Sequence, residues 1–274
     1  MTVVTISRQV GSFGDEIAAS VAEKLNFRLV GQEEIHDLGS SCDQSFKDAC
    51  ALFEREVPKG FMERFFFHNP AYTSLFESLH FELASLGNVV IVGRGAQIVL
   101  SGIPSVLKVR VVAPLKARIN RIMDEKHMSA EEAGDYVNSY GHQRRALIES
   151  IYHTDLSNWA LYDLIINTDI LDREAGANIV VVAVRNMAVR EDDAQLKQNL
   201  KNRAFAKKVE SAIKKDVATT PFRNLEVKCP EPGIVVLTGF VHDKSTKEKA
   251  ESIAAHHAGV TKVENQLRTT GLTF

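Results

Sequence analysis

The stretch Val3–Leu25, VVTISRQVGSFGDEIAASVAEKL, constrains the fold of this 274-residue chain more than any other. It begins with an apolar, β-branched run at Val3, Val4 and Ile6, passes through a loop holding Gly11 and Gly14, and enters a helical pattern. In that pattern Ile17, Val21 and Leu25 stand four residues apart, beside Ala18 and Ala22, so one face is apolar. Strand, glycine loop and helix together make a phosphate-binding architecture. Glycines let backbone N–H groups approach the anion, and the helix N-terminus adds partial positive charge.

Composition narrows the alternatives. With 45% hydrophobic and 25% charged residues, the chain has the make-up of a globular protein able to bury a large core. A net charge of −2 gives no reason to expect nucleic acid as a partner, since that requires a basic face. The chain enters a strand within three residues, and no apolar run approaches the ~18–20 residues needed to span a bilayer. Export and a transmembrane segment are therefore not expected, and a cytoplasmic location is. Cys42, Cys50 and Cys229 form no C-x-x-C pair, which suits neutral thiols in a reducing compartment. The histidines are scattered, with only His256 and His257 adjacent, so no histidine metal site is expected.

Further along, Phe27–Val30 reads as a second short strand. Residues 32–86 read as helical, broken at Pro58-Lys59-Gly60 and restarted at Asn69-Pro70, with Asn as N-cap and Pro at the first helical position. The aromatics Phe61, Phe65, Phe66, Phe67, Tyr72, Phe76 and Phe81 suit core packing or a helical subdomain, with a base-stacking pocket as the alternative. Asn88–Val92 reads as a fully buried parallel strand ending in Gly93-Arg94-Gly95, at the sheet end where α/β proteins bind ligands. Arg94 there is either a ligand-binding group or part of an ion pair capping the strand.

Val106–Val112 is the next strand, and Ala113-Pro114 opens a helix carrying Arg118 and Arg121 three residues apart, on one face. Ser129-x-x-Glu132 is a capping box that starts a long helix containing His142, Arg144 and Arg145. These arginines either converge on a polyphosphate or belong to a solvated face shared with Asp124, Glu125, Glu131 and Glu132. Tyr162–Asn167 is a further strand, and Ile179–Val184 is either strand or buried helix. Strands alternating with helices predict an α/β domain with a parallel sheet flanked by helices over residues 1–190.

Residues 191–205 are charged and read as an exposed helical linker. Residues 206–274 have their own pattern, α-β-β-α-β, predicting a small α+β domain. That segment carries 11 Lys and Arg against 8 Asp and Glu, a modest basic excess.

Four blocks in this order resemble the cytidylate-kinase-like family, a branch of the P-loop nucleoside monophosphate kinases. They are Thr5–Ala18 with Ala22–Leu25 in register, VIVGRGA at Val90–Ala96, APLKARINRIM at Ala113–Met123, and YDLIINT at Tyr162–Thr168. The segment from about Phe205 resembles a BON domain, through the strand Val235–Val241, an Ala-rich helix, and Gly259–Asn265. The first resemblance implies a P-loop-type parallel β-sheet and ATP-dependent phosphoryl transfer to a nucleoside monophosphate such as CMP, with Mg²⁺. It places Gly11, Ser12, Phe13, Gly14, Asp15 and Glu16 in the phosphate loop and helix start, and Arg94 near the acceptor phosphate. It also places Arg118, Arg121 and Arg144 in an arginine lid that neutralises the moving phosphoryl group. The BON resemblance implies association with phospholipid surfaces or protein partners.

Departures from the family pattern accompany these matches. Gly14, which the resemblance shares with close relatives, stands where ordinary P-loop enzymes have the loop lysine, Asp15 where they have the magnesium-binding hydroxyl, and Phe13 at a position often held by Gly. Arg8 is then the candidate replacement cation and Asp15 the candidate metal ligand. Gly95 replaces an aspartate of cytidylate kinases, and Gly141 an acidic lid residue. The rival expectation is a nucleotide-binding regulatory protein without catalysis, with the BON domain as output, or with that domain primary on a scaffold kept for its fold.

Overall fold

The computed structural model describes residues 1–31, 35, 37, 44–54, 69–187, 192–216 and 222–270. Pro58-Lys59-Gly60, Phe61, Phe65, Phe66, Phe67, Cys42, Val217 and Thr220-Pro221 lie outside them. The described elements run β1 (Val3–Arg8), α1 (Gly14–Leu25), β2 (Arg28–Leu29), α2 (Gln44–Glu54), α3 (Pro70–Ser85), β3 (Val89–Val92) and α4 (Ala96–Val99). Next come β4 (Val106–Val112), α5 (Leu115–Lys126), α6 (Ala130–Tyr152), a 3-10 turn at Trp159–Leu161, β5 (Leu164–Asn167) and α7 (Arg173–Arg185). The C-terminal elements are α8 (Asp193–Asp216), β6 (Arg223–Glu231), β7 (Ile234–Val241), α9 (Lys244–His256), β8 (Lys262–Asn265) and β9 (Arg268–Thr269).

The chain divides into two compact units: Met1–Glu63 with Leu86–Asp193, and Arg64–Ser85 with Ala194–Phe274. In the first, five strands form a sheet of order β2-β3-β1-β4-β5, and every pairing is parallel. β1 is central because Val3, Val4 and Ile6 form a run that is almost wholly buried, so it can be covered on both faces. On one face α1 contributes Ile17, Ala18, Val21 and Ala22, and α7 contributes Ala177 and Val180. Full burial of a side chain such as Ile17 stabilises by about 1.5–3 kcal/mol. A Cβ at Gly176 would stand 2.8 Å from the Ile17 side chain, so glycine is what lets the two helices approach. Ile179–Val184, open from sequence between strand and helix, is part of α7, capped by the Asp172 side chain on the Ala175 N–H.

The capping box at Ser129 and Glu132 forms at the start of α6. Helices α5 and α6 share their own small core of Ile122, Ala133 and Val137, against which Val10 of the glycine loop packs. One loop residue is thereby tied to the helix pair that carries Arg118, Arg121 and Arg144.

The second unit refines the sequence expectation for residues 191–205. Residues 193–205 are helical as expected and mostly exposed, but they are the first half of the 24-residue helix α8, and Leu196, Leu200, Asn202 and Ala204 on it are buried. Helix α3 belongs to this unit as well. Its N-terminus is held as expected, with Asn69 Oδ1 accepting from the Ala71 N–H. Tyr72, Phe76 and Phe81 lie on α3, Phe76 and Phe81 buried, and none lines the clefts described below. Ser78 Oγ donates to the Ala204 carbonyl, and Lys207 and Lys208 pair with Glu77 and Glu82. The α-β-β-α-β order appears as α8, β6, β7, α9, β8, with β9 added beside β7; β6 and β7 are antiparallel, β7 and β8 parallel.

Candidate functional site

The loop after β1 is built from interactions that the sequence only partly announced. Gly11 has φ +72°, and a Cβ there would come within 2.7 Å of the Arg118 carbonyl oxygen, because the start of α5 lies against it. Ser12 is buried and donates its hydroxyl to Gln9 O at 2.8 Å. Thr168 Oγ1, fully buried at the end of β5, donates to Ser12 O at 3.0 Å. Arg121 reaches across to Gly11 O at 3.2 Å and to Thr168 Oγ1 at 3.0 Å. Its guanidinium lies 3.8 Å from the centre of the Phe13 ring. Phe13 takes the left-handed φ of +64° that glycine prefers, at a cost of order 1–3 kcal/mol. Stacking on Arg121 and packing against the sheet core offset that strain.

Gly14 has a direct steric explanation. A Cβ at residue 14 would stand 2.3 Å from Arg8 Cβ and 2.6 Å from Arg8 Cγ. The stem of Arg8 fills the space through which a lysine side chain at 14 would leave the backbone, so the arginine and the glycine are a matched pair. The Arg8 side chain is nearly buried and grips Asp15 Oδ1 with Nε at 3.0 Å and Nη2 at 2.8 Å. Phe13 offers no side-chain cap to α1, so the first-turn N–H groups are not bound by a capping side chain. Gly95 is explained likewise. It has φ +79°, and a Cβ would meet the Tyr152 ring at 2.6 Å, so an aspartate has no place there. Gly141 is under no such pressure, its nearest neighbour being Val10 at 3.9 Å.

Two clefts open at the carboxyl end of β1. The loop cleft, about 530 Å³, is lined by residues 8–16, Arg121, Asp124, Glu125, Tyr140, Arg144 and Arg173 among others. The second cleft, about 340 Å³, is bounded by Ser7–Val10, Gly93–Gly95, Gln97 and the inner side of α6. Arg8, Gln9, Val10 and Arg144 line both, so the two spaces meet there. Arg118 and Arg121, expected to act together from one helix face, diverge. Arg118 donates to Ala113 O at 3.0 Å and lines the second cleft, whereas Arg121 lines the loop cleft. Arg94 also lines the second cleft, while its Nη1 donates back to Val92 O at 2.9 Å.

Sequence reasoning passed over Arg110. It lies in the middle of β4, in register with Ser7, whose hydroxyl it contacts, and 5.8 Å from the centre of the Tyr162 ring. Its signal was a charged residue inside a largely apolar strand, a signal shared with Lys108. Burial lowers the pKa of Arg110, and the nearby charges of Arg145 and Arg8 lower it further, against the opposing pull of Tyr162 and Glu149. Arg118 is lowered by burial and by Arg110. Arg121 is lowered by burial despite Asp169 and Glu16. Thr168 was quoted only as the end of a motif, yet it clamps the loop.

Among the described residues, no group of three His, Cys, Asp or Glu side chains gathers to hold a metal. The loop cleft does contain Asp15 and Glu16 at the helix start. That donor set suits Mg²⁺, which keeps most of its shell as water and substrate phosphate and takes one or two carboxylates from protein.

The parallel sheet of order 2-3-1-4-5, with a glycine loop leading from its central strand into α1, defines a P-loop-type α/β fold. The chain belongs to the cytidylate kinase-like family, which it matches over residues 3–170. Residues 192–271 match the BON domain. Relatives include a cytidylate kinase of Methanocaldococcus jannaschii, 28% identical over 68% of this chain and 98% of that protein. Another is a cytidylate kinase of Archaeoglobus fulgidus, 28% identical over 69% of this chain and 98% of its own length. Among solved structures, an uncharacterized protein from Eubacterium ventriosum superposes with a TM-score of 0.51. The two share 16% identity over 68% of this chain and 99% of that one, a likeness of fold.

Proposed function

We propose that the N-terminal unit is a nucleoside monophosphate kinase, transferring a phosphoryl group from ATP to a pyrimidine nucleotide of the CMP type. The observation that carries this reading is the meeting of the two clefts at Arg8–Val10 and Arg144. A donor in the loop cleft and an acceptor in the second would bring their phosphates together beside shared arginines, and phosphoryl transfer depends chiefly on such positioning and charge.

In this reading the loop cleft takes ATP, its phosphates received by N–H groups of residues 11–16. Arg121 holds the loop in shape through Gly11 and Thr168, and Arg144 faces both substrates. Arg118 and Arg94 serve the acceptor side. Mg²⁺, carried on the nucleotide and touching Asp15, would supply charge neutralisation. Family membership and the cytidylate kinases among the relatives support the activity. The matched pair of Arg8 and Gly14 supports an alternative cation in the loop rather than a simple loss.

The test is ADP release by the full chain with ATP, Mg²⁺ and a panel of nucleoside monophosphates, against a no-acceptor control. Nucleotide binding without turnover on any acceptor would favour the regulatory reading instead. For the C-terminal unit we propose association with phospholipid surfaces or protein partners, in keeping with its BON match. Co-sedimentation of the full chain with anionic vesicles tests the lipid form, and absence from the pellet counts against it.

A further inference from the structure

We propose that Arg110 is the anion anchor at the floor of the second cleft, holding the phosphate monoester of the acceptor. The inference rests on the kinase reading for the identity of the acceptor, but not for the presence of the anion site.

Arg8, Arg94, Arg110, Arg118, Arg144 and Arg145 all line this space, together with His142, and among the described residues no carboxylate lines it. Several of these guanidinium groups already have employment within the protein. Arg8 is paired with Asp15, Arg94 donates to Val92 O, and Arg145 approaches Glu149 at 3.9 Å. Arg110 differs from them. It rises from a strand of the sheet rather than from a loop or lid helix, so its backbone is fixed by pairing on both sides. Its partners are a hydroxyl, Ser7 Oγ, and an aromatic ring, Tyr162. Among the described residues, no carboxylate lies within ion-pair distance of it, and Glu149 acts only as the weakest of several distant influences.

A half-buried guanidinium without a paired counter-charge is partly desolvated at a cost, and a ligand anion in the cleft would offset it. Repulsion from Arg8 and Arg145 adds to the imbalance. A phosphate dianion relieves it: guanidinium offers a planar fork to two phosphate oxygens, and neighbouring Arg118 shares the charge. Rigid mounting on β4 suits the substrate that must be held while the lid arginines move with the transferred group.

The experiment compares wild type with Arg110→Met, Arg110→Gln and Arg110→Lys in the full chain, each checked for folding by circular dichroism and thermal melting. The substitutions differ in shape and polarity, so the comparison survives if Arg110→Met fails to fold. Turnover with CMP should show an acceptor KM raised about 50-fold in Arg110→Met and about 10-fold in Arg110→Lys. In both, kcat should stay within about threefold and ATP affinity unchanged. Calorimetric titration with CMP and with inorganic phosphate, without ATP, reads the anion site itself. Wild type should bind and Arg110→Met should bind at least about tenfold more weakly. Absence of turnover in wild type with this binding difference intact would overturn the kinase reading alone. Equal CMP and phosphate affinities in wild type and a folded variant, or no binding by wild type, would overturn the role of Arg110.

Discussion

Two charged side chains, one in each unit, are treated in opposite ways: Glu210 is fully buried and Arg110 half-buried at a cleft. Glu210 on α8 is 2% exposed, and the structure surrounds it with Lys207, Lys214 and the hydroxyl of Ser74. Burial by itself pushes its carboxyl up, but the attraction of Lys214 and Lys207 outweighs this and holds it below its ordinary value. Arg110 on β4 has a hydroxyl and a ring instead. A buried charge with its counter-charges supplied by the chain is a structural device. One whose direct partners are a hydroxyl and a ring, beside other cations in a cleft, is suited to an anion arriving from solution.

The sharpest way to break this contrast is to remove each charge. Glu210→Ala leaves two lysines facing a buried hole and should lower stability by about 3–5 kcal/mol in denaturant unfolding. Arg110→Met should leave stability within about 1 kcal/mol, since no counter-charge is stranded. Equal losses would erase the distinction. Acid sharpens it further. Because the folded-state pKa of Glu210 is depressed, its contribution is present above the unfolded value near 4.3 and disappears as pH falls through the folded value. Wild type should therefore lose more stability than Glu210→Gln between about pH 5 and pH 3, measured by chemical unfolding at each pH.

The phosphate loop offers the next largest effect. Gly14→Lys, which puts the lysine of ordinary P-loop enzymes into the loop, should destabilise by about 3 kcal/mol because its Cβ collides with Arg8. The double change Arg8→Gly with Gly14→Lys should recover most of that loss. A melting temperature for the double variant no higher than for Gly14→Lys alone would show that the two positions are not a matched pair. Gly95→Ala should cost about 1–2 kcal/mol, from its positive φ and the Tyr152 ring, and adding Tyr152→Ala should relieve only the steric share.

The smallest effect concerns the exposed partner of Arg8. Without Mg²⁺, Asp15→Asn should tighten ATP binding up to about fivefold by releasing Arg8 from its carboxylate. With Mg²⁺ the gain should shrink or reverse if Asp15 touches the ion, and isothermal titration under both conditions separates the two roles.

Much of the fold was legible from local pattern. Val3–Leu25 announced its strand, loop and helix because apolar periodicity and glycine spacing are properties of neighbouring residues, and the boundaries β1 and α1 follow them. Asn69-Pro70 and Ser129-x-x-Glu132 were legible for the same reason, a capping side chain acting within three residues. Between 193 and 205 the helix and its exposed charges were legible, but the burial of Leu196, Leu200, Asn202 and Ala204 was not, because burial depends on what folding packs against them. Within the site, the three-residue spacing of Arg118 and Arg121 suggested a common target, and the tertiary fold gave them different clefts.

The sequence by itself determined the class of sheet, the glycine loop joining its first strand to its first helix, and the presence of a second small domain. Each of these follows from periodicity and turn chemistry, which act over a few residues. Only the tertiary structure decided why residue 14 is glycine, why residue 95 is glycine, and which arginine stands in a cleft without a carboxylate. Those answers depend on contacts between residues 8 and 14 across the loop, 95 and 152 between strand end and helix, and 7 and 110 between paired strands. Close approach and charge compensation are set by what folding brings together, and no local pattern carries them.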